Sequence, residues 1–233
     1  MNRSLSSLVL AVLTACPAAL AFAGASLSAC TCAIAQVQVL PPHSEVHNKS
    51  IAHYSTEWWQ WAMSFSAPDD PITDPTGSLA GLGQSGPIFF LGGSGTSQRS
   101  FTVPRNKYLL IPLLNAELSQ LEMPGATPEE VRQATADLAD LIDVLYAEVD
   151  GVPVPNLFQY REVSEEFKFK AAYNNPIGVP EGRSGAAYAN GYYLMLAPLP
   201  PGTHVIRFGG GISAFNYYVD TTDTITVEDS GRE

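Results

Sequence analysis

The sequence predicts a mainly β domain, an antiparallel β-sandwich or jelly roll with one short N-terminal helix and one longer inserted helix. Three observations predict it. Beyond residue 85, apolar residues gather in runs of strand length bounded by Gly, Pro, Asn and Asp. Only two stretches, around the tryptophans and after Thr127, repeat apolar residues at the helical period. The strand-helix alternation that marks a parallel α/β sheet is missing.

In chain order, the first segment is a leader. No charged residue stands between Arg3 and Glu45, and residues 8–35 are apolar or small, as in an export signal. Pro17, Gly24 and the Ser/Thr content after them suit a discarded segment better than a membrane span. Two cuts compete. Ala33 and Ala35 offer the A-x-A arrangement, giving an export signal over 1–35, while Leu27 to Cys30 ("LSAC") resembles a bacterial lipobox in which Cys30 would carry a lipid anchor. All three cysteines, Cys16, Cys30 and Cys32, fall in this leader, so the exported part is expected to hold no disulfide and no cysteine metal ligand.

Residues 36–50, "QVQVLPPHSEVHNKS", read as an extended lead-in, with Pro41-Pro42 opposing a helix. A single domain is expected over 51–233. Its first element is a helix through "YSTEWWQWAMSF", capped by Ser55 or Thr56 and stopped by Pro68, with Trp58, Trp61, Ala62 and Phe65 on one face and Trp59 on its flank. The loop "SAPDDPITDPTGSLAGLGQSG" follows. "GPIFFLGG" and "RSFTVP" read as strands joined by a hairpin loop at "GSGTSQ". "KYLLIPLLN" is apolar on both faces, as a central strand would be, and its Pro112 demands a bulge or an unpaired amide.

"TPEEVRQATADLADLIDVL" predicts a helix on the outside of a sheet, with Thr127 as cap, Pro128 in the first turn and Glu130 closing a capping box. The chain then returns to strands. Asp150-Gly151 marks a hairpin, "FKFKAAY" alternates as a half-exposed strand, and "GYYLMLAPL", "PPGTHVIRF" and "AFNYYVDTTDTITVED" complete the set.

"WWQW", "QSGPIFFLGG", "VPRNKYLLIPLLN" and "PLPPGTHVIRFGG", in that order, resemble a group of exported bacterial proteins of unassigned function. Separately, the late "PPGTHVIRF" strand is similar to strands of immunoglobulin-like and carbohydrate-binding sandwiches. Neither resemblance implies a catalytic residue.

With 23 acidic against 12 basic residues, the chain has a formal net charge of −11, which opposes a phosphate backbone and excludes nucleic acid as the expected partner. The function expected is non-catalytic binding of a glycan or envelope component in the periplasm, on the cell surface or in the medium. Trp59 and the pairs Tyr192-Tyr193 and Tyr217-Tyr218 are the candidate ligand-binding aromatics, because indole and phenol rings pack on the C–H face of a sugar. For Trp59 the alternative is core packing. A carbohydrate-active hydrolase or lyase would instead need two converging carboxylates, for which Glu57 and Glu117 are the weak candidates. A purely structural envelope protein would need neither.

No cofactor is expected. Calcium is the one candidate ion, through Asp69, Asp70 and Asp74, although their spacing matches no EF-hand loop. His43 and His47 lack the adjacent glutamate of the zincin motif. His204, in phase with Ile206 and Phe208, is expected at the edge of the core. No transmembrane span is expected in the exported form.

Overall fold

The computed structural model describes residues 37–228, so the leader, its cleavage sites and Cys30 lie outside the described residues. The elements run β1 (Glu45–Val46), β2 (Lys49–Ser50), α1 (Ile51–Ala62), β3 (Ile88–Phe90), β4 (Thr96–Val103) and β5 (Tyr108–Ser119), then α2 (Pro128–Ala139), β6 (Val144–Val149) and β7 (Val152–Pro153). A 3-10 turn at Leu157–Tyr160 leads to β8 (Arg161–Val163), β9 (Lys170–Ala171), β10 (Gly182–Arg183), β11 (Ala187–Leu196), β12 (Gly202–Ile212) and β13 (Tyr217–Val227). Two sheets dominate, a four-stranded one ordered β3-β5-β11-β8 and a five-stranded one ordered β4-β13-β12-β6-β7.

The fold is therefore mainly β with two α-helices, but two of its pairings are parallel: β3 with β5, and β4 with β13. The expected hairpin at "GSGTSQ" is not formed, because β3 and β4 belong to different sheets. The chain leaves the first sheet after β3, runs through β4 in the second, and returns as β5. That excursion is the crossover a parallel pair requires.

One cluster of buried side chains draws on both large sheets, with Leu109, Ile111 and Leu194 from one and Ile206, Phe208 and Ile225 from the other. A second cluster lies on the remaining face of the four-stranded sheet, where α1 sets Tyr54, Trp58, Trp59 and Trp61 against Leu110, Tyr193 and Met195. Strands β5 and β11 are thus covered on both faces, which explains their unbroken apolar sequences.

The triple glycine of β12 lets these layers approach. A side chain at Gly210 would press on Leu114 Cβ at 3.0 Å and on the Val144 carbonyl at 2.7 Å.

Pro112 produces the expected bulge. Tyr192 pairs with Leu114 while Tyr193 pairs with Pro112, leaving Leu113 as the extra residue. The insertion reverses the strand's phase: Leu109, Ile111 and Leu113 join the inter-sheet cluster, and so do Leu114 and Ala116. Asn115 and Glu117 are thereby turned to the α1 side.

Helix α1 starts earlier than Ser55, at Ile51, because the Ser50 hydroxyl accepts the His53 N–H at 3.0 Å and Ile51 and Tyr54 extend its buried face. Helix α2 has its capping box, with Thr127 and Glu130 bonding reciprocally, but ends at Ala139 rather than Leu145. Val144 and Leu145 pair instead with Gly211 and Gly210 of β12.

The Asp150-Gly151 turn links β6 to β7 with φ of 50° and 80°, the left-handed geometry of a tight hairpin. "FKFKAAY" keeps its alternation of burial from Phe167 to Ala171 but not at Tyr173, which is exposed, and it contributes only the two residues of β9 to a ladder.

Candidate functional site

All three indoles belong to the core. Trp58, Trp59 and Trp61 are 4%, 6% and 7% exposed. Each indole N–H is satisfied: Trp58 donates to the Leu91 carbonyl at 2.6 Å, Trp59 to the Tyr193 hydroxyl at 3.2 Å and Trp61 to the Leu82 carbonyl at 2.9 Å. The Trp58 and Trp59 rings meet edge to face with centroids 4.9 Å apart.

Beside the bulge, however, the core is not closed. A cavity of about 170 Å³ opens where α1 passes over Pro112–Asn115, and Trp59, Tyr217, Asn115, Ser94 and Ile177 are among its lining residues. Its floor is aromatic and aliphatic, whereas its polar side chains are the Asn115 amide and the hydroxyls of Thr73, Ser94 and Tyr217, of which Thr73 donates to Asp70 Oδ2 at 2.7 Å. The side chains of Asn115, Ser94 and Tyr217 form no hydrogen bond among the described residues, so all three are available to a ligand. The bulge is what delivers Asn115. With an unbroken alternation this residue would share the face of Leu109, Ile111 and Leu113 and enter the inter-sheet core.

Glycine shapes the adjoining wall. Gly93, which lines the cavity, packs so tightly on Thr221 that a side chain there would overlap its hydroxyl. The run "LGGSG" therefore carries the chain between the two sheets at close range and leaves Ser94 at the rim.

No family model matches the chain, and no curated protein matches it. Among solved structures, a chain from "Structure of PbICP-C in complex with falcipain-2" aligns with a TM-score of 0.22 at 13% identity, over 61% of this chain and 100% of that one. A likeness that slight assigns neither fold nor function.

The aromatic candidates separate. Trp59 and Tyr217, far apart in sequence, meet at the cavity. Tyr192 and Tyr193 do not form a surface platform, because successive strand residues point to opposite faces and both faces of β11 are covered. Tyr192 packs in the inter-sheet core, edge to face with Phe158 at 5.4 Å, and Tyr193 is completely buried under α1. Burial drives the Tyr193 hydroxyl above its ordinary pKa, with the charges of Glu117 and Glu162 adding to the rise. Tyr218 is half-exposed, and its hydroxyl lies 3.4 Å from that of Ser213.

Glu57 and Glu117 do not converge. Glu57 sits on the outer side of α1, its Oε1 held by Lys49 Nζ at 2.6 Å and His53 Nε2 at 3.0 Å. Glu117 is 4% exposed, has no hydrogen-bond partner on either oxygen and lines none of the cavities described.

The loop carboxylates serve their own loop. Asp70 is buried and accepts the N–H of Ile72 at 2.9 Å and of Thr73 at 3.2 Å. Asp74 accepts from Thr76 and Leu79, and although burial pushes its carboxyl up, these bonds together with that from Ser78 hold it below the ordinary value. Asp69 is exposed. Among the described residues, no group of three or more His, Cys, Asp or Glu is arranged to hold a metal.

His204 is 8% exposed and bonds Asp150 through Nδ1 at 2.7 Å and the Pro200 carbonyl through Nε2 at 2.9 Å. It is a tether between the β6–β7 turn and the start of β12. Among the described residues, no helix is long and apolar enough to cross a membrane.

Because the tryptophans share one buried stretch, intrinsic fluorescence reports on the cavity wall. Emission is expected to be blue-shifted and largely inaccessible to acrylamide. A red-shifted, fully quenched spectrum would contradict the burial of all three.

Proposed function

We propose that the domain is an exported β-sandwich binding module of the cell envelope or secretome, and that the cavity at the β5 bulge receives one sugar unit of a glycan. The observation that carries this reading is the presence of Trp59 and Tyr217 in the wall of one cavity in which the Asn115 amide and the Ser94 hydroxyl are uncommitted. A pyranose offers the matching chemistry. Its C–H face packs on an aromatic ring, and its hydroxyls both donate and accept, as an amide and a hydroxyl do. No carboxylate is among the lining residues, so the walls suit retention of a sugar rather than the paired-acid chemistry of glycoside hydrolysis. The export half of the reading rests on the leader, whose single charge, Arg3, precedes a long apolar stretch.

Affinity electrophoresis through a panel of polysaccharides tests it. At least one neutral polysaccharide is expected to retard the chain. Asn115→Ala and Tyr217→Ala are each expected to weaken that retardation by roughly 3- to 10-fold, the effect of losing one hydrogen bond or one ring contact of about 1 kcal/mol. Tyr217 is 49% exposed, so its loss leaves the core intact. A panel with no retardation by any member removes the reading.

A further inference from the structure

The wall of the bulge cavity discriminates among sugars. Among the described residues, none of those lining it carries a charge, although the chain as a whole has a net charge of −11. A uronate would find no cation there and an unsubstituted amino sugar no carboxylate, so either would bring in a charge without a partner. Neutral sugars remain.

Among these, a plain hexose suits the wall poorly. Trp58, Trp59, Met63, Ile72, Leu113 and Val219 present apolar surface, and the two indole N–H groups are already given to the Leu91 carbonyl and the Tyr193 hydroxyl. Sugar hydroxyls turned toward that surface would lose water without gaining a partner. The polar group that β5 itself delivers is the Asn115 amide, which both donates and accepts. Its flanks are kept open. Gly191 is its direct partner on β11, where a side chain would collide with the Asn115 Cα and Cβ, and on the other side the ladder of β5 with β3 reaches only Leu110.

An acetamido group has the matching pattern. It carries one donor and one acceptor, as its counterpart amide does, and a methyl group that gains by leaving water for an apolar wall. The space is suitable too, since about 170 Å³ is near the cavity of roughly 150 Å³ that holds a single benzene ring. One such group and part of its sugar fill it. The rest of the ring then lies at the mouth, where Tyr217 and Ile177 are 49% and 47% exposed.

We propose that the cavity selects an N-acetylhexosamine, holding the acetamido group between Asn115 and the apolar wall while Tyr217 covers the sugar ring at the mouth. This inference rests on the sugar-binding reading above and narrows it to one substrate class.

Calorimetric titration of the full exported chain with triacetylchitotriose provides the test, against cellotriose, which has the same linkage with a hydroxyl in place of each acetamido group. The acetylated trimer is expected to bind about tenfold more tightly. The deacetylated glucosamine trimer, and an acetyl-lysine peptide that offers the acetamido group without a sugar ring, are expected to bind no better than cellotriose. Asn115→Ala should bring the two neutral trimers to within about twofold of each other, whereas Tyr217→Ala should weaken both alike and leave their ratio unchanged. A general loosening of the fold would not move that ratio selectively, and an unchanged circular dichroism spectrum verifies folding. Equal binding of the two trimers, a ratio that survives Asn115→Ala, or a peptide that binds as tightly as triacetylchitotriose overturns this inference. So does a chain that some other polysaccharide retards but triacetylchitotriose does not bind, and in that case the broader sugar-binding reading stands. If no trimer binds and no polysaccharide retards the chain, both fall.

Discussion

Glu117→Gln is expected to stabilise the domain at neutral pH and to flatten its loss of stability between about pH 5 and pH 9. The carboxyl is 4% exposed beneath α1, neither oxygen has a hydrogen-bond partner, and burial first, then the charge of Glu122, pushes it up to about 9. In the unfolded chain the same group titrates near the ordinary glutamate value of about 4.3. Between those values the unfolded chain releases the proton and the folded chain keeps it. The stabilisation is thus complete below the unfolded value and is lost as pH rises through the folded one. The slope approaches 1.4 kcal/mol per pH unit, so the cost at pH 7 is on the order of 3 kcal/mol relative to pH 5.

Glutamine keeps the shape and removes the ionisation. Urea denaturation of wild type and variant at about pH 5, 7 and 9 measures the difference in slope. Glu162 and Glu122 are also raised, chiefly by burial, and leave a residual slope of the same sign in both proteins. The wild-type excess over the variant is therefore the quantity to read. Parallel pH profiles would show that Glu117 does not titrate in that range.

The reason Glu117 is buried at all was only half visible in the sequence. Pro112 announces a bulge in "KYLLIPLLN", but the announcement does not say that Leu113 is the inserted residue or that Asn115 and Glu117 change faces as a result. The same limit governs the binding site. The tryptophan helix is legible from its spacing, and Trp59 on its flank does reach a cavity. Nothing local marks Asn115 or Ser94, because their availability depends on which partners the tertiary structure leaves them without. Elements governed by neighbouring residues, such as the Thr127 capping box and the Asp150-Gly151 turn, are readable from sequence alone. The parallel pairing of β4 with β13 joins residues more than a hundred positions apart, and no short-range pattern encodes it.

That parallel pairing is the setting of the largest destabilisation expected. Arg99 and Asp223 are direct partners across β4 and β13, 3% and 0% exposed, and joined by two 2.7 Å bonds, Nε to Oδ1 and Nη2 to Oδ2. The remaining guanidinium nitrogen, Nη1, reaches the Pro71 carbonyl at 3.3 Å, which ties the acidic loop to the same point, and the group lies 5.4 Å from the Phe101 ring centre. The planar fork satisfies the carboxylate in one register only. A slip of β4 by one residue would turn Arg99 to the other face and leave Asp223 charged and alone.

Arg99→Ala creates that uncompensated charge without the slip. It is expected to cost about 3–5 kcal/mol, lowering the thermal midpoint by on the order of 10 °C. Most of this cost reflects the orphaned carboxylate rather than the net worth of the pair. Replacing both partners, Arg99→Met with Asp223→Leu, should therefore return the stability to within about 1–2 kcal/mol of wild type. Thermal and urea denaturation of both single variants and the double variant closes the cycle. A double variant no more stable than Arg99→Ala would mean that the fork is needed to hold the β4–β13 register, and not merely to neutralise a charge.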